Sequence, residues 1–149
     1  MLGIDTNILL YSLNPASKFH ARAHAFLQSA FGDKTKDVAI ADLVLVELYL
    51  LLRNETVMKK ALGAPEAMQV ISAYWKIPSV MRIEHATVMD RVWQAAGKKG
   101  FARRRIFDVR LGETLRHHGV TQFATANVKD FETLGFEKVW NPLEEEGLK

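Results

Sequence analysis

Four separate stretches of the sequence carry carboxylate or amide side chains that could do chemistry. These oxygen-bearing residues are Asp5, Glu47, Asp108, Asn127 and Asp130. Three or more like charges in one cleft would repel strongly and raise one another's pKa. Mg²⁺ or Mn²⁺ would relieve that repulsion, because these hard cations prefer oxygen ligands and keep waters available for chemistry. The spacing of these residues does not by itself show that they meet, so the topology must decide.

Asp5 directly follows the apolar run Leu2-Gly3-Ile4, which is typical of a short buried strand with a helix after it. In an open α/β sheet, ligands bind in the crevice outside the carboxyl ends of the strands, so an acid there faces the functional side. The alternative is that Asp5 or Thr6 only caps the helix that follows. Asp5 becomes a site candidate if other carboxylates converge on it.

Glu47 interrupts a helix in which the other nine of the ten residues from Leu43 to Leu52 are Leu, Val or Tyr. A helix that is apolar nearly all round is expected to lie deep in the fold. A buried, unpaired carboxylate would carry a large desolvation penalty unless it were neutral, paired or bound to a metal. The alternatives are a helix rotated so that Glu47 reaches solvent, or a buried partner such as Arg53.

Asp108 and the segment from Thr125 to Asp130 complete the candidates. Asp108 lies in the first turn of a helix predicted from Ile106 to about His117, where an acid can simply complement the helix dipole. Thr125 would end a strand and Asn127 would begin a helix, again at the carboxyl edge of the sheet. Asn127 and Asp130 also have the spacing of a capping box, which needs no catalytic role.

Alternating strands and helices must position these residues. Strands are predicted at the start of the chain, at Val38–Ala41, Val80–Ile83, Gln122–Thr125 and Glu137–Trp140. The main helices are predicted at Phe19–Phe31, Leu43–Leu52 with Asp42 as N-cap, Pro65–Lys76, Thr87–Ala96 and Ile106–His117, with a short one from Asn127 through Leu134. This alternation predicts one α/β domain with a parallel sheet covered on both faces. Gly119 suits the left-handed position after a helix.

The composition narrows the chemistry further. Without cysteine there is no disulfide and no thiolate, so a metal must be held by oxygen or imidazole. The 20 basic and 17 acidic residues give a net charge of +3, but Lys98, Lys99 and Arg103 to Arg105 form a cluster that is consistent with a nucleic-acid partner. No stretch has transmembrane length and no signal peptide precedes the first strand, so a cytoplasmic location is expected.

The motifs together resemble the PIN-domain ribonucleases. The matching blocks, in order, are Leu2-Gly3-Ile4-Asp5-Thr6-Asn7-Ile8-Leu9-Leu10-Tyr11, Glu47 in its apolar helix, Arg105-Ile106-Phe107-Asp108 and Phe123-Ala124-Thr125-Ala126-Asn127-Val128-Lys129-Asp130-Phe131. Within that family the chain looks most like the VapC-type toxins of toxin–antitoxin pairs. The resemblance implies a three-layer α/β/α fold around a mainly parallel sheet of four to five strands. It assigns residues 1–142 to a PIN-like nuclease domain and leaves residues 143–149 as an acidic C-terminal tail.

The resemblance also implies a site and a reaction. Asp5, Glu47 and Asp108 align with the family's acidic positions and would hold one or two Mg²⁺ or Mn²⁺ ions, so that a metal-activated water attacks an RNA phosphodiester. The fourth position is Asn127, where many relatives carry Asp, and Asp130 could partly substitute for it. The residues expected to contact substrate or to lie near the metal are Thr6, Arg103, Arg104, Arg105, Thr125 and Asp130. The expected partners are RNA, a cognate antitoxin and a second copy of the chain, with no membrane.

Two other functions remain open at this point. A PIN fold that has lost catalysis could act as an RNA- or protein-binding regulatory module, and the uncharged Asn127 motivates that alternative. A phosphatase using Asp5 as nucleophile ranks last, because Asn7 stands where such enzymes usually have a second Asp. A dinucleotide-binding enzyme is disfavoured, because no Gly-x-Gly-x-x-Gly follows any strand.

Overall fold

A five-stranded parallel sheet forms the centre of the computed structural model, which describes residues 1–144. Its strands are β1 (Leu2–Ile4), β2 (Val38–Ala41), β3 (Val80–Ile83), β4 (Gln122–Ala124) and β5 (Lys138–Trp140). They are arranged in the order β3-β2-β1-β4-β5, and every neighbouring pair is parallel. All five carboxyl ends therefore lie at one edge of the sheet, with β1 and its following acid in the middle. The predicted parallel sheet is confirmed.

Seven helices flank the sheet within the described part of the chain. They are α1 (Thr6–Leu13), α2 (His20–Gly32), α3 (Asp42–Leu52), α4 (Ala64–Trp75), α5 (Met89–Ala96), α6 (Arg105–His117) and α7 (Val128–Phe131). Helix α1 packs on α2 and α3, and α3 packs on α4, whereas α6 packs on α5, α7 and strand β2. The predicted three-layer α/β/α architecture is confirmed. Across residues 1–144, every helix is too short or too polar to cross a bilayer.

Local sequence signals explain several helix ends. The Asp5 carboxylate caps α1, since its Oδ1 accepts from the Thr6 N–H at 2.8 Å. After α6, Gly119 adopts φ +84°, and its N–H donates to the Arg116 carbonyl, as the left-handed position after a helix requires. The prediction of Asp42 as N-cap of α3 is wrong: Ala41 holds that position, and the Asp42 side chain pairs instead with Arg82 at 2.9 Å.

The main core lies between the central strands and helices α1, α3 and α6. Ile4, Ile8, Leu48 and Phe123 are among its fully buried side chains. A smaller cluster of Val88, Val92 and Val109 joins α5 to α6. Burial of these apolar surfaces provides the main stabilisation of the fold and fixes where α6 begins beside the sheet.

Helix α3 differs from expectation. Its buried face carries Val44, Leu45, Leu48 and Leu52. On the other side Val46 and Leu50 are 62% and 63% exposed, and Glu47 is exposed with them. The prediction that this helix lies deep in the fold is therefore wrong. An all-apolar run shows that one face is buried, but it cannot show that the opposite face is left uncovered.

The last described residues, 143 and 144, lie beside α2. Leu143 is buried in the main core, and its carbonyl accepts a hydrogen bond from the Arg22 guanidinium at 2.8 Å. Glu144 is exposed, while Glu145 and Glu146 of the predicted acidic tail lie outside the described residues.

Candidate active site

Asp5 occupies the centre of the carboxyl edge of the sheet. It follows β1, is only 6% exposed, and receives the Thr125 hydroxyl on Oδ2 at 2.7 Å while Oδ1 caps α1. Burial raises the pKa of Asp5 to about 6; the hydrogen bonds from Thr125 and the Thr6 N–H oppose this, and the charges of Glu47 and Asp108 add to it. The predicted cap is therefore confirmed for one Asp5 oxygen, while the other oxygen faces the neighbouring strand end.

The first turn of α1 and the loop after β4 both contact Asp5. Thr125 is fully buried, and its hydroxyl accepts from the Asn127 N–H at 3.0 Å while donating to Asp5. Asn7 donates to Asp5 Oδ2 at 3.4 Å and accepts from the Ala126 N–H at 3.1 Å. The ends of β1 and β4 are thus tied together by side chains. Asn7 was not predicted as a site residue, although it stands in the same Asp-Thr-Asn stretch at the strand end.

Glu47 reaches the same region from α3. Its Oε2 accepts from the Thr6 hydroxyl at 3.1 Å, and that hydroxyl also lies 3.4 Å from the Val44 carbonyl oxygen. Arg53, considered above as a partner of Glu47, instead donates to the Tyr49 hydroxyl at 2.9 Å. Glu47 is exposed, so the desolvation argument for its role is wrong. Its position beside Thr6 and the electrostatic effect of its charge on Asp5 are what connect it to the site.

Asp108 is half-buried in the first turn of α6. Its pKa is raised by burial and by the charges of Asp130 and Glu47, while the Arg105 guanidinium acts in the opposite direction. Arg105 donates to the Asp130 carbonyl at 3.1 Å and to the Thr133 hydroxyl at 2.9 Å. It therefore joins α6 to α7 next to the acids, whereas Arg104 is exposed at the N-cap of α6.

Asn127 and Asp130 are both exposed at the start of α7. No side chain caps this helix, and the Asp130 N–H donates to the Asn127 carbonyl at 3.1 Å through the backbone alone. The capping-box interpretation is therefore wrong. Neither side chain caps the start of α7, and the Asp130 charge raises the pKa of Asp108.

The site has the donor chemistry of a hard-cation site, but its acids do not form a complete ligand set. Among residues 1–144, no three His, Asp or Glu side chains lie close enough together to hold an ion as they stand. The charges of Glu47 and Asp108 nevertheless raise the pKa of Asp5, and the charge of Glu47 raises the pKa of Asp108; a bound cation would offset this repulsion. The exposed Glu47 and half-buried Asp108 would have to turn towards Asp5 for all three to bind one ion.

Comparisons with known proteins identify relatives along the whole chain. The chain is 48% identical over 147 residues to Ribonuclease VapC24 of Mycobacterium tuberculosis, covering 99% of this chain and 100% of that protein. No protein-family model matches the sequence.

Solved structures with the same fold are also toxin–antitoxin proteins. The crystal structure of Mycobacterium tuberculosis VapC20, a Sarcin-Ricin loop cleaving toxin, has a TM-score of 0.66 and 17% identity, covering 91% of this chain and 96% of that one. VapBC2 from Rickettsia felis, bound to a DNA fragment from its promoter, has a TM-score of 0.60 and 15% identity, covering 94% and 98%. At these identities the two structures support the fold, and the 48% relative supports the family. The chain belongs to the VapC family of PIN-domain toxin ribonucleases.

Proposed function

We propose that this protein is a divalent-metal-dependent endoribonuclease that acts as the toxin of a type II toxin–antitoxin pair. The observation that carries the proposal is the buried Asp5 carboxylate, held at the centre of the sheet edge with Glu47 and Asp108 close enough to raise its pKa. Ribonucleases of the VapC family are metal-dependent in general. Oxygen ligands alone favour Mg²⁺ or Mn²⁺, and Asp5, Asp108 and Glu47 would hold the ion.

When bound, the ion would supply an activated water and offset the charge that develops on the phosphate. The remaining work falls to the chain itself. Thr125 and the Thr6 N–H fix the orientation of both Asp5 oxygens, and the Thr6 hydroxyl holds Glu47. Asn127 supplies an exposed amide that would orient substrate or water at the same edge, with Asp130 beside it. Arg104 and Arg105 supply positive charge for the RNA backbone.

The partners follow from the same proposal. A toxin of this kind acts on RNA and is silenced by a cognate antitoxin, and VapBC2, one of the solved structures with this fold, is itself a toxin–antitoxin complex. We also propose a homodimer and a cytoplasmic location, where the RNA substrate would be found.

The test compares two aspartates, each of which lies in the first turn of a helix. Asp108 and Asp90 both lie in the first turn of a helix, α6 and α5 respectively, but only Asp108 influences Asp5. Asp108→Asn should lower magnesium- or manganese-dependent cleavage of a labelled RNA by about a hundredfold or more, because metal-assisted charge stabilisation contributes several kcal/mol. Asp90→Asn should cleave like the unaltered protein. Circular dichroism should show both variants folded.

Two results would count against the proposal. One is full cleavage by Asp108→Asn in a preparation free of contaminating nuclease. The other is an absence of heat on titrating the unaltered protein with millimolar Mg²⁺ or Mn²⁺, which would favour the inactive PIN-fold binding module instead.

A further inference from the structure

Phe107 is the most exposed large hydrophobic side chain in the described part of the protein. It is 69% exposed and precedes Asp108 in the first turn of α6. A phenyl ring in water at the edge of an acidic site contributes nothing to the core. Single exposed apolar residues are common, however, so a role for Phe107 has to be argued from the residues around it.

The packing of α6 explains why Phe107 is left out. Ile106 and Val109 pack in the cluster that joins α6 to α5. Arg105 donates to Asp130 and Thr133 beside α7, and Asp108 is coupled to the acids of the site. Successive residues of a helix point about 100° apart. Phe107 falls between the side of α6 that packs on α5 and the side that lies beside α7 and the acids, so its ring faces outward. Folding does not require a phenylalanine at this position.

Three arginines lie close to Phe107 in sequence, in α6 and just before it. Residues three and four apart lie on one side of a helix. Arg104, the N-cap, and Arg110 stand three positions before and after Phe107, Arg103 lies in the turn just before α6, and all three are exposed. None of them forms a salt bridge with any residue between 1 and 144. The start of α6 therefore carries, close to Phe107 in sequence, exposed guanidinium groups that are available to an anionic chain.

We propose that Phe107 stacks on an unpaired base of the RNA, next to the phosphate held by the acidic site, while Arg103, Arg104 and Arg110 contact the flanking phosphates. This inference rests on the proposed ribonuclease function and adds to it a residue that holds the substrate. Proteins that hold single strands combine cationic side chains with aromatic rings, because every base has a face on which to stack. Bases within a duplex are already stacked on both faces, so the Phe107 ring can stack only on an unpaired base.

The experiment measures RNA binding separately from cleavage. A fluorescently labelled single-stranded RNA and its duplex form are titrated with protein in EDTA, and anisotropy is recorded. Phe107→Ala should lower affinity for the single strand by about five- to a hundredfold, the usual contribution of one aromatic–base stack. Phe107→Tyr should restore it, and affinity for the duplex should stay within about twofold in both variants. In the presence of Mg²⁺ or Mn²⁺, the loss should be seen in KM rather than kcat.

Controls separate stacking from other causes. Met68→Ala removes an exposed apolar side chain from α4, which packs against α3 and β3, and should leave RNA binding unchanged. Thermal unfolding of Phe107→Ala should match the unaltered protein, because an exposed side chain contributes little to stability.

Two outcomes would overturn the inference: unchanged single-strand affinity in Phe107→Ala, and an equal loss for single strand and duplex. If the affinity is unchanged and light scattering shows loss of a dimer, Phe107 is a protein contact instead. If the unaltered protein binds RNA but never cleaves it, the ribonuclease proposal fails while the stacking result still stands.

Discussion

The two carboxylate oxygens of Asp5 have different hydrogen-bond donors. Oδ1 accepts from the helix N-terminus at Thr6, and Oδ2 accepts from Thr125 on the neighbouring strand. Removing the whole side chain would therefore uncap α1 and leave the buried Thr125 hydroxyl without its acceptor. Asparagine keeps the shape and one oxygen to cap α1 while removing the charge, and its NH₂ can donate to the Thr125 hydroxyl in place of accepting from it, so it is the cleaner substitution for testing this residue.

Asp5→Asn should abolish cleavage and yet stabilise the metal-free protein at neutral pH. The folded pKa of about 6 exceeds the ordinary value of 3.8. Neutral Asp5 therefore favours the folded state fully below pH 3.8, and this contribution is lost as the pH rises through 6. A shift of this size corresponds to about 3 kcal/mol by pH 7 and above.

Urea unfolding in EDTA at about pH 4.5 and about pH 7.5 measures this effect. The free energy of unfolding of Asp5→Asn should exceed that of the unaltered protein at the higher pH, and the gap should shrink at the lower one. A gap that is the same at both values would show that the Asp5 charge is not penalised by its surroundings.

Part of the candidate site could be predicted residue by residue from the sequence. The position of Asp5 at a strand end could be predicted, because the Leu2-Gly3-Ile4 run and the following polar residues define it. The exposure of Glu47 could not be predicted, because an apolar run does not indicate which side of its helix is covered by the rest of the protein. Asn7 was missed because its contacts with Asp5 and Ala126 join residues that are adjacent only after folding.

Among the elements, β1 leaves little room for a side chain at Gly3. A Cβ there would lie 3.0 Å from Val120 Cγ1 and 3.1 Å from Phe123 Cδ1, and both neighbours are buried. Gly3→Val should therefore lower the free energy of unfolding by about 1–3 kcal/mol through overpacking. Because β1 ends just before Asp5, cleavage should fall as well.

Gly32 offers the matched control. It ends α2, and a Cβ there would meet no atom within 4 Å. Gly32→Ala should leave stability unchanged or raise it by up to about 1 kcal/mol, because alanine is the better helix former. Thermal and urea unfolding compare the two variants. A destabilised Gly32→Ala beside an unaffected Gly3→Val would refute this account of β1.

Element boundaries could be predicted within a few residues wherever apolar periodicity and glycine or proline agreed. The strand at Val38–Ala41 and the left-handed Gly119 are confirmed. The N-cap of α3 was misplaced because Asp42 has a stronger partner in Arg82, which lies forty residues away in sequence. Helix α7 ends at Phe131 rather than Leu134. Local patterns do not reveal such distant partners.

Over the whole molecule, charge is divided between the two ends of the sheet. The acids and the basic start of α6 lie at the carboxyl edge. Lys59 and Lys60 line a cavity of about 410 Å³ together with Leu13 and Asn14, where α1 ends at the opposite edge. RNA approaching the site would therefore contact the basic start of α6 and would not contact Lys59 and Lys60.

The salt dependence of RNA binding should distinguish these two groups. Each phosphate contact to a single strand contributes about 0.7 to the slope of log affinity against log salt. The double variant Arg103→Gln/Arg104→Gln should reduce that slope by about 1 to 1.5. Lys59→Gln/Lys60→Gln should leave it unchanged. Equal effects from the two pairs would indicate diffuse attraction rather than a defined path for RNA.

The placement of β1 in the sheet also bears on how the protein is made. The strand nearest the amino terminus lies in the middle, and its Asp5 depends on a hydroxyl that follows 120 residues later. A ribosome adds residues in order, so Asp5 has neither its β4 neighbour nor its Thr125 donor until almost all of the described chain has been synthesised. A partly translated copy would consequently be harmless to the RNA of the machine that is making it.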